Sequence, residues 1–344
     1  MNKSTTQSLR KINQEKIIKA LRDYGESNKN QLSEYTSLSV GTCYNILMDL
    51  LETKEVVRGN GFVSTGGRKA KSYKLNEDFS YILAISMHRE FDSIYYILRV
   101  YNHIDNQVYE HTSQKGVISF ENLCEDIDKI IGQFPNIYVI SLAIPAVISK
   151  EGEVETISLV KGLEKMSHIH IKERLEVMFQ KKVIVDNDVN VATIGYYSSH
   201  TNIQNIAFIY QPLDELAGIS FIVDGHLLRG EHGLIGEVPY LPILNQKQQY
   251  QYLKKENGLY ELLVQFIVLI MIMNDPQQIV ICCQRKIDIS KVYNGMLQYI
   301  SDKHFFPEIV IYSDIYEFIF NGLLLMGREM LNTNLVMKTQ GVYK

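Results

Sequence analysis

From Tyr81 onward the chain alternates short apolar runs with longer stretches of helical periodicity, and this alternation restricts the fold more than any other feature. "YILAISM", "IYYILRVYN", "IYVISLAIPAVIS" and "KKVIVDN" are strand-like, whereas "SFENLCEDIDKIIGQF" and "IHIKERLEVMFQ" repeat their apolar residues at helical spacing. "NIAFIYQP" and "LAGISFIVDGHLLRG" read as a further pair of strands. The region after Tyr250 reads as helical, interrupted by the strands "QQIVICC" and "EIVIYS". The pattern predicts an α/β body of two similar halves, each a sheet flanked by helices. Ligands in such folds sit at the carboxyl ends of strands, where "VDNDVNVATIGYY" places Asp188. Three roles are open to that residue: catalytic base, ligand-binding acid, or part of a helix cap.

The first 75 residues follow a different pattern. "NQEKIIKALRDYG" reads as an amphipathic helix stopped by Gly25, and "KNQLSEYTSL" as a short second helix with Leu32 and Tyr35 facing inward. Ser39 can cap a third, "VGTCYNILMDLLETKE", with Ile46, Leu47, Leu50 and Leu51 as its apolar stripe and Gly41, Thr42, Tyr44 and Asn45 outward near its start. Two short helices joined by a tight turn, the second opening on small polar residues, predict a helix-turn-helix. In "VVRGNGFVSTGGRKAKSYKL", Val56–Val57 and Ser72–Leu75 alternate like strands around a Gly-rich basic tip bearing Arg68, Lys69 and Lys71, a winged hairpin.

Charge supports the division. Residues 1–75 hold 13 Lys and Arg against 7 Asp and Glu, and the remainder 22 against 32, so a basic head precedes an acidic body. The expected partner is double-stranded operator DNA, with Ser39, Gly41, Thr42, Tyr44 and Asn45 at the major groove and Arg68, Lys69 and Lys71 at the backbone or minor groove. The predicted domains are 1–78, a winged helix-turn-helix, and 79–344, the body. The polar start lacks a secretion signal and no run of apolar residues is long enough to cross a membrane, which predicts a cytoplasmic protein. "FIVLIMIM", apolar all round, reads as a buried helix. Four cysteines without C-x-x-C spacing suggest reduced thiols.

The wing and the body also carry motifs in a telling order. "TGGRKA", "LAIPAVIS", "VDNDVNVATIGYY", "VDGHLLRGEHGLIGEVPY" and "ENGLYE" resemble, in sequence, those of the ROK family (repressors, open reading frames and sugar kinases) in its xylose-repressor branch. The resemblance implies a two-lobed, actin-like and ribonuclease-H-like body. Lobe one is about 79–190 plus a C-terminal helix near 315–335, and lobe two about 191–314. It also implies a homodimer or higher homo-oligomer. In "YEFIFNGLLLMGREML", Gly322 is expected to allow close helix packing, with a dimer face as the alternative.

The resemblance further implies sugar-binding side chains at Asn187, Asp188, Glu237 and Glu261, with Tyr240 in place of a family histidine; the effector would be a sugar or sugar phosphate. Carboxylates and amides suit this work because each exchanges two hydrogen bonds with vicinal hydroxyls. The family's nucleotide loops fall on positions changed here. Ser86 and His88 replace an acid and a glycine, and only Gly218 remains in "PLDELAG", where Asp214 and Glu215 bring negative charge. The family's zinc ligands fall on Tyr240, Tyr252, Lys254 and Leu259, none a zinc donor. The implied protein is a transcriptional regulator, a repressor of carbohydrate-utilisation genes, with no cofactor and no enzymatic activity. The rivals are an active sugar kinase with a fused head and a regulator whose body senses a protein partner.

Overall fold

The computed structural model describes residues 2–61, 71–90, 93–116, 118–149, 154–155, 166, 169–213, 215–242 and 244–339. The head comprises α1 (Asn2–Tyr24), β1 (Ser27–Asn28), α2 (Lys29–Thr36), α3 (Val40–Glu52), β2 (Val56–Arg58) and β3 (Ser72–Leu75). β3 lies between β1 and β2, antiparallel to both, with Val56 opposite Leu75. Ile17, Leu21, Leu32, Leu47, Leu50 and Tyr73 form its core.

The helix ends have clear causes. α2 opens with a capping box in which Asn28 accepts from the Gln31 backbone and the Gln31 side chain returns to Asn28. Ser39 accepts from Thr42 N at the start of α3, as its sequence position predicts. Two expectations are corrected. Tyr35 is 42% exposed and stacks on Tyr24 at 4.1 Å, while Thr36 takes the buried position beside Leu32, because the α2 face turned to α3 holds Leu32 and Thr36. α1 begins at Asn2 and not near Asn13, since nothing in the polar stretch before Lys16 breaks a helix.

The body begins with β4 (Tyr81–Glu90), β5 (Ser93–Tyr101), β6 (Gln107–Thr112), α4 (Phe120–Gln133) and β7 (Ile137–Ile144). A small hairpin, β8 (Val147–Ile148) and β9 (Val154–Glu155), precedes α5 (Ile171–Phe179), β10 (Lys182–Asn187) and α6 (Asp188–Tyr197). The second half holds β11 (Ile206–Gln211), β12 (Gly218–Val223), β13 (His226–Leu227), α7 (Gln246–Leu253), α8 (Gly258–Asn274), β14 (Gln278–Cys283), α9 (Ile289–Met296) and β15 (Glu308–Tyr312). The last helix, α10, spans Tyr316–Thr339. The sheets run β6-β5-β4-β7-β10 and β13-β12-β11-β14-β15. In each, three antiparallel strands are followed by two parallel ones, so the two lobes repeat a single plan. Strand "QIVICC" is buried at every position, as a covered parallel strand requires.

α6 and α10 cross between the lobes at a pair of glycines. A Cβ on Gly195 would strike the Phe318 carbonyl, and one on Gly322 the Val191 carbonyl. Gly322 therefore faces α6, which accounts for its close packing. α8 is buried along most of its length, but its last turn is not: Ile272 and Met273 are 73% and 83% exposed. No helix among the described residues is long and apolar enough to cross a membrane.

Head and body meet through charge. Asp105, in the turn after β5, pairs with Arg22 of α1 at 3.4 Å and with Arg328 of α10, and Arg22 also donates to the His103 carbonyl at 3.1 Å. His103 and Glu55 are both buried and lie 3.5 Å apart, while Nδ1 of His103 meets Ser80 at 2.8 Å. Ile104 packs on the head core.

Candidate ligand cleft and candidate nucleic-acid interface

The carboxyl ends of β4, β7, β10 and β11 converge on a cleft between the lobes, which Ile315 and the first turn of α10, with Tyr316 and Ile319, close. Asn187, Asp188 and Glu237 line it. Asn187 ends β10 in an extended conformation. Its side-chain Oδ1 accepts from the backbone N–H groups of Val189 (2.9 Å) and Asn190 (3.3 Å), and its side-chain Nδ2 donates to the Ala146 carbonyl at 3.0 Å. Capping is thus the work of Asn187. The next residue, Asp188, is buried and accepts from Val189 N at 2.9 Å.

Glu237 reaches the cleft by way of Gly236. That glycine has φ +84° and lies so close to β12 that a Cβ would strike the Ile219 carbonyl, a position only glycine fills without strain. Burial pushes the Asp188 carboxyl up to about 6. Burial, then the charge of Asp188, pushes Glu237 up to about 7. Tyr210, beneath them, is raised further by burial and by Asp188. Near neutral pH the two acids therefore sit close to their titration and can act as donors as well as acceptors.

The opposite wall belongs to β4 and the loop after β11. His88 is 4% exposed, and its ring stands edge-on to Tyr316 at 4.3 Å; its Nε2 has no hydrogen-bond partner. Burial, then Arg99, pushes its pKa down to about 3, so the imidazole is neutral. Arg89 meets Glu215 across the lobes at 2.8 Å, and the Tyr250 hydroxyl donates to the same carboxylate at 3.2 Å. Sequence reasoning missed Arg89, Tyr210, Tyr250 and Tyr316. For Arg89 a signal existed: "HRE" ends an otherwise apolar strand with polar groups, at the edge where ligands sit.

The other two expected site residues lie outside this wall. Tyr240 is 54% exposed in a short 3₁₀ turn beside Glu237, whose charge helps raise its hydroxyl after burial. Glu261 is exposed in the first turn of α8 and does not line the cleft. Among the described residues no group of three or more His, Cys, Asp or Glu side chains is gathered as a metal ion would need.

On the head, the start of α3 is presented outward. Gly41, Tyr44 and Asn45 are exposed and Thr42 half-buried, while Cys43, Ile46 and Leu47 anchor the opposite face. The Ser39 hydroxyl is engaged with Thr42, through both N and Oγ1, so its place in the structure is that of a cap. Lys29 lies 5.9 Å from the Tyr44 ring, adding a cation to the same face. Lys71 is exposed at the root of β3; Arg68 and Lys69 lie outside the described residues.

A ROK family model matches residues 103–249. The xylose repressor of Caldicellulosiruptor bescii is 25% identical over 244 residues, which are 68% of this chain and 59% of that protein; the chain thus spans about three fifths of the length of this relative. Among solved structures, a ROK family transcriptional regulator described as a homolog of the E. coli MLC protein superposes with a TM-score of 0.61 at 15% identity, over 93% of this chain and 98% of that one. A putative N-acetylmannosamine kinase from Listeria monocytogenes superposes with a TM-score of 0.57 at 13% identity, over 73% of this chain and 99% of its own. The matched segment contains the end of β10, the start of α6 and Glu237, so the acids of the cleft belong to it, and the chain carries a ROK family domain over residues 103–249.

Proposed function

We propose that the chain is a sugar-responsive transcriptional repressor. The head is read as a winged helix-turn-helix that binds duplex operator DNA as one of two copies, and the body as a non-catalytic effector domain. The observation that carries this reading is the exposed, polar start of α3 on a separately cored, basic head, joined to a cleft lined by Asp188 and Glu237. Helix N-terminal residues with short side chains and a tyrosine suit base edges, and flanking cations suit phosphates. Similarity to a xylose repressor favours the same reading. The effector site comprises Asn187, Asp188 and Glu237. Reciprocity follows: an effector that weakens DNA binding binds less tightly to the DNA complex. A mobility-shift titration against genomic fragments at moderate salt tests it; sequence-independent retardation alone would exclude it.

A second reading, a sugar kinase with a fused head, is favoured by one observation. Asp188 is buried with its pKa raised to about 6, as suits a general base. Against it, the Arg89–Glu215 pair and the loss of all but Gly218 of the glycine loop leave no anion cradle for a triphosphate, and the residues do not fit the nucleotide. Sugar-dependent ATP hydrolysis abolished by Asp188→Asn would establish the kinase; absence of turnover excludes it.

A further inference from the structure

The charge of the cleft selects the chemistry of what enters it, and this step rests on reading the cleft as an effector site. Among the described residues that line it, Arg89 is the only side chain cationic at neutral pH, set against the carboxyls of Asp188, Glu215 and Glu237. Arg89 sits at the end of β4 in one lobe, and Glu215 lies in the loop between β11 and β12 of the other. That loop is fixed from its own lobe. Gln211 Nε2 donates to the Glu215 carbonyl at 2.8 Å, Leu213 N donates to Gln284 at 2.9 Å, and Arg285 donates to the Leu213 carbonyl at 2.7 Å. With the Tyr250 hydroxyl also on its carboxylate, Glu215 is held in place against the Arg89 guanidinium, and neither side chain is more than a quarter exposed.

We propose that Glu215 is the charge filter of the cleft: by meeting Arg89 across the lobes it takes the position of a ligand anion, so the effector admitted is an uncharged polyhydroxyl compound and not its phosphate ester. A phosphate brought to Arg89 would face the Glu215 carboxylate at contact distance in a partly desolvated site, where like charges repel strongly. The remaining wall suits hydroxyls. The His88 imidazole is buried and neutral with an unpartnered Nε2, and a neutral ring nitrogen exchanges a hydrogen bond with a hydroxyl but offers an anion no charge. Asp188 and Glu237 likewise take hydroxyl hydrogens and repel anions.

Calorimetric titration of the full chain with inorganic pyrophosphate tests the filter without DNA, so its result stands whether or not operator binding is found. The wild type is expected to take up no pyrophosphate at millimolar concentration. Glu215→Gln, which removes the charge and keeps the shape, is expected to bind it at least tenfold more tightly, and Glu215→Gln/Arg89→Gln to lose that gain. Glu215→Ala serves in place of Glu215→Gln should the latter not fold. Wild-type binding that Arg89→Gln removes, or an affinity of Glu215→Gln within twofold of the wild type, overturns the proposal.

Discussion

Replacing Asp105 by asparagine tests how the head is held on the body. Asp105 is the anion between two partly buried arginines, Arg22 of α1 and Arg328 of α10, whose side chains are 13% and 21% exposed. Burial lowers the pKa of Arg22. Burial, then the neighbouring Arg22 charge, brings Arg328 down to about 10, so the two cations already repel one another in the presence of their shared partner. Removing one member of a fully buried pair costs about 3–5 kcal/mol, because the other is left charged and desolvated. Asp105 is itself 23% exposed, which lowers the expectation to about 2–3 kcal/mol. Asparagine is the right replacement because Asp105 has φ +70°, a left-handed conformation that Asn adopts readily and Ala does not. No backbone strain then confounds the charge effect.

The assay is hydrogen exchange of the α1 amides between Lys16 and Tyr24, read against the amides of β7 as an internal reference. At about 1.4 kcal/mol per tenfold, the loss predicts about 30- to 150-fold faster exchange in α1 with β7 unchanged. Asp105→Asn/Arg22→Met should recover part of the loss, since the arginine no longer lies buried without its anion. Unchanged exchange in α1, or strictly additive effects in the double variant, would refute the reasoning.

Three further outcomes follow from local geometry. Gly322→Ala places a methyl group against the Val191 carbonyl at the α6–α10 crossing; overpacking should outweigh the helix propensity gained and leave the chain about 2 kcal/mol less stable, visible as a fall in Tm of about 4–8 °C. Glu237 has a folded pKa of about 7, above its ordinary 4.5, so the stability it contributes is complete below about pH 4.5 and is lost as pH rises through 7; Glu237→Gln should therefore gain in Tm relative to the wild type between pH 5 and pH 8, and a constant difference would contradict the burial argument. Arg68→Ala should weaken operator binding by about 1–3 kcal/mol at fixed salt in a mobility-shift titration, and an unchanged affinity would remove the wing from the DNA contact.

Features set by local chain chemistry were readable in the sequence. Most strands and helices of both lobes, the Ser39 cap and the turn at Gly25 depend on periodicity and capping, which near neighbours carry, whereas the edge strand β6, largely exposed and polar, gave no such signal. Asp188 could be placed at a strand end by the same means, but its role could not be separated from capping. The structure divides the work unequally: Asn187 accepts from both the Val189 and Asn190 amides with its own amide committed to Ala146, whereas Asp188 shares only the Val189 amide and lines the cleft. Glu261 was expected at the cleft by motif alone; a motif fixes order along the chain, whereas the turn that begins α8 fixes direction, and Glu261 faces solvent.

What the sequence hid are the contacts made between distant segments, and α10 carries the most consequential of them. Tyr316 and Ile319, in its first turn, close the cleft, whereas Arg328, nine residues beyond Ile319 and so about 14 Å along the helix, holds Asp105 at the head junction. No periodicity distinguishes these two sites, because each is an ordinary position on an amphipathic helix until β5, α1 and α6 are packed around it. The glycine pair Gly195 and Gly322 lies between them and brings α10 into backbone contact with α6, the helix that starts at Asp188. A displacement at the acid end of α6 or at Tyr316 therefore meets a packed crossing with little free volume, and packed helices move as bodies and do not bend continuously. The cleft and the charged junction of the head are thus joined by the first half of a single rigid element.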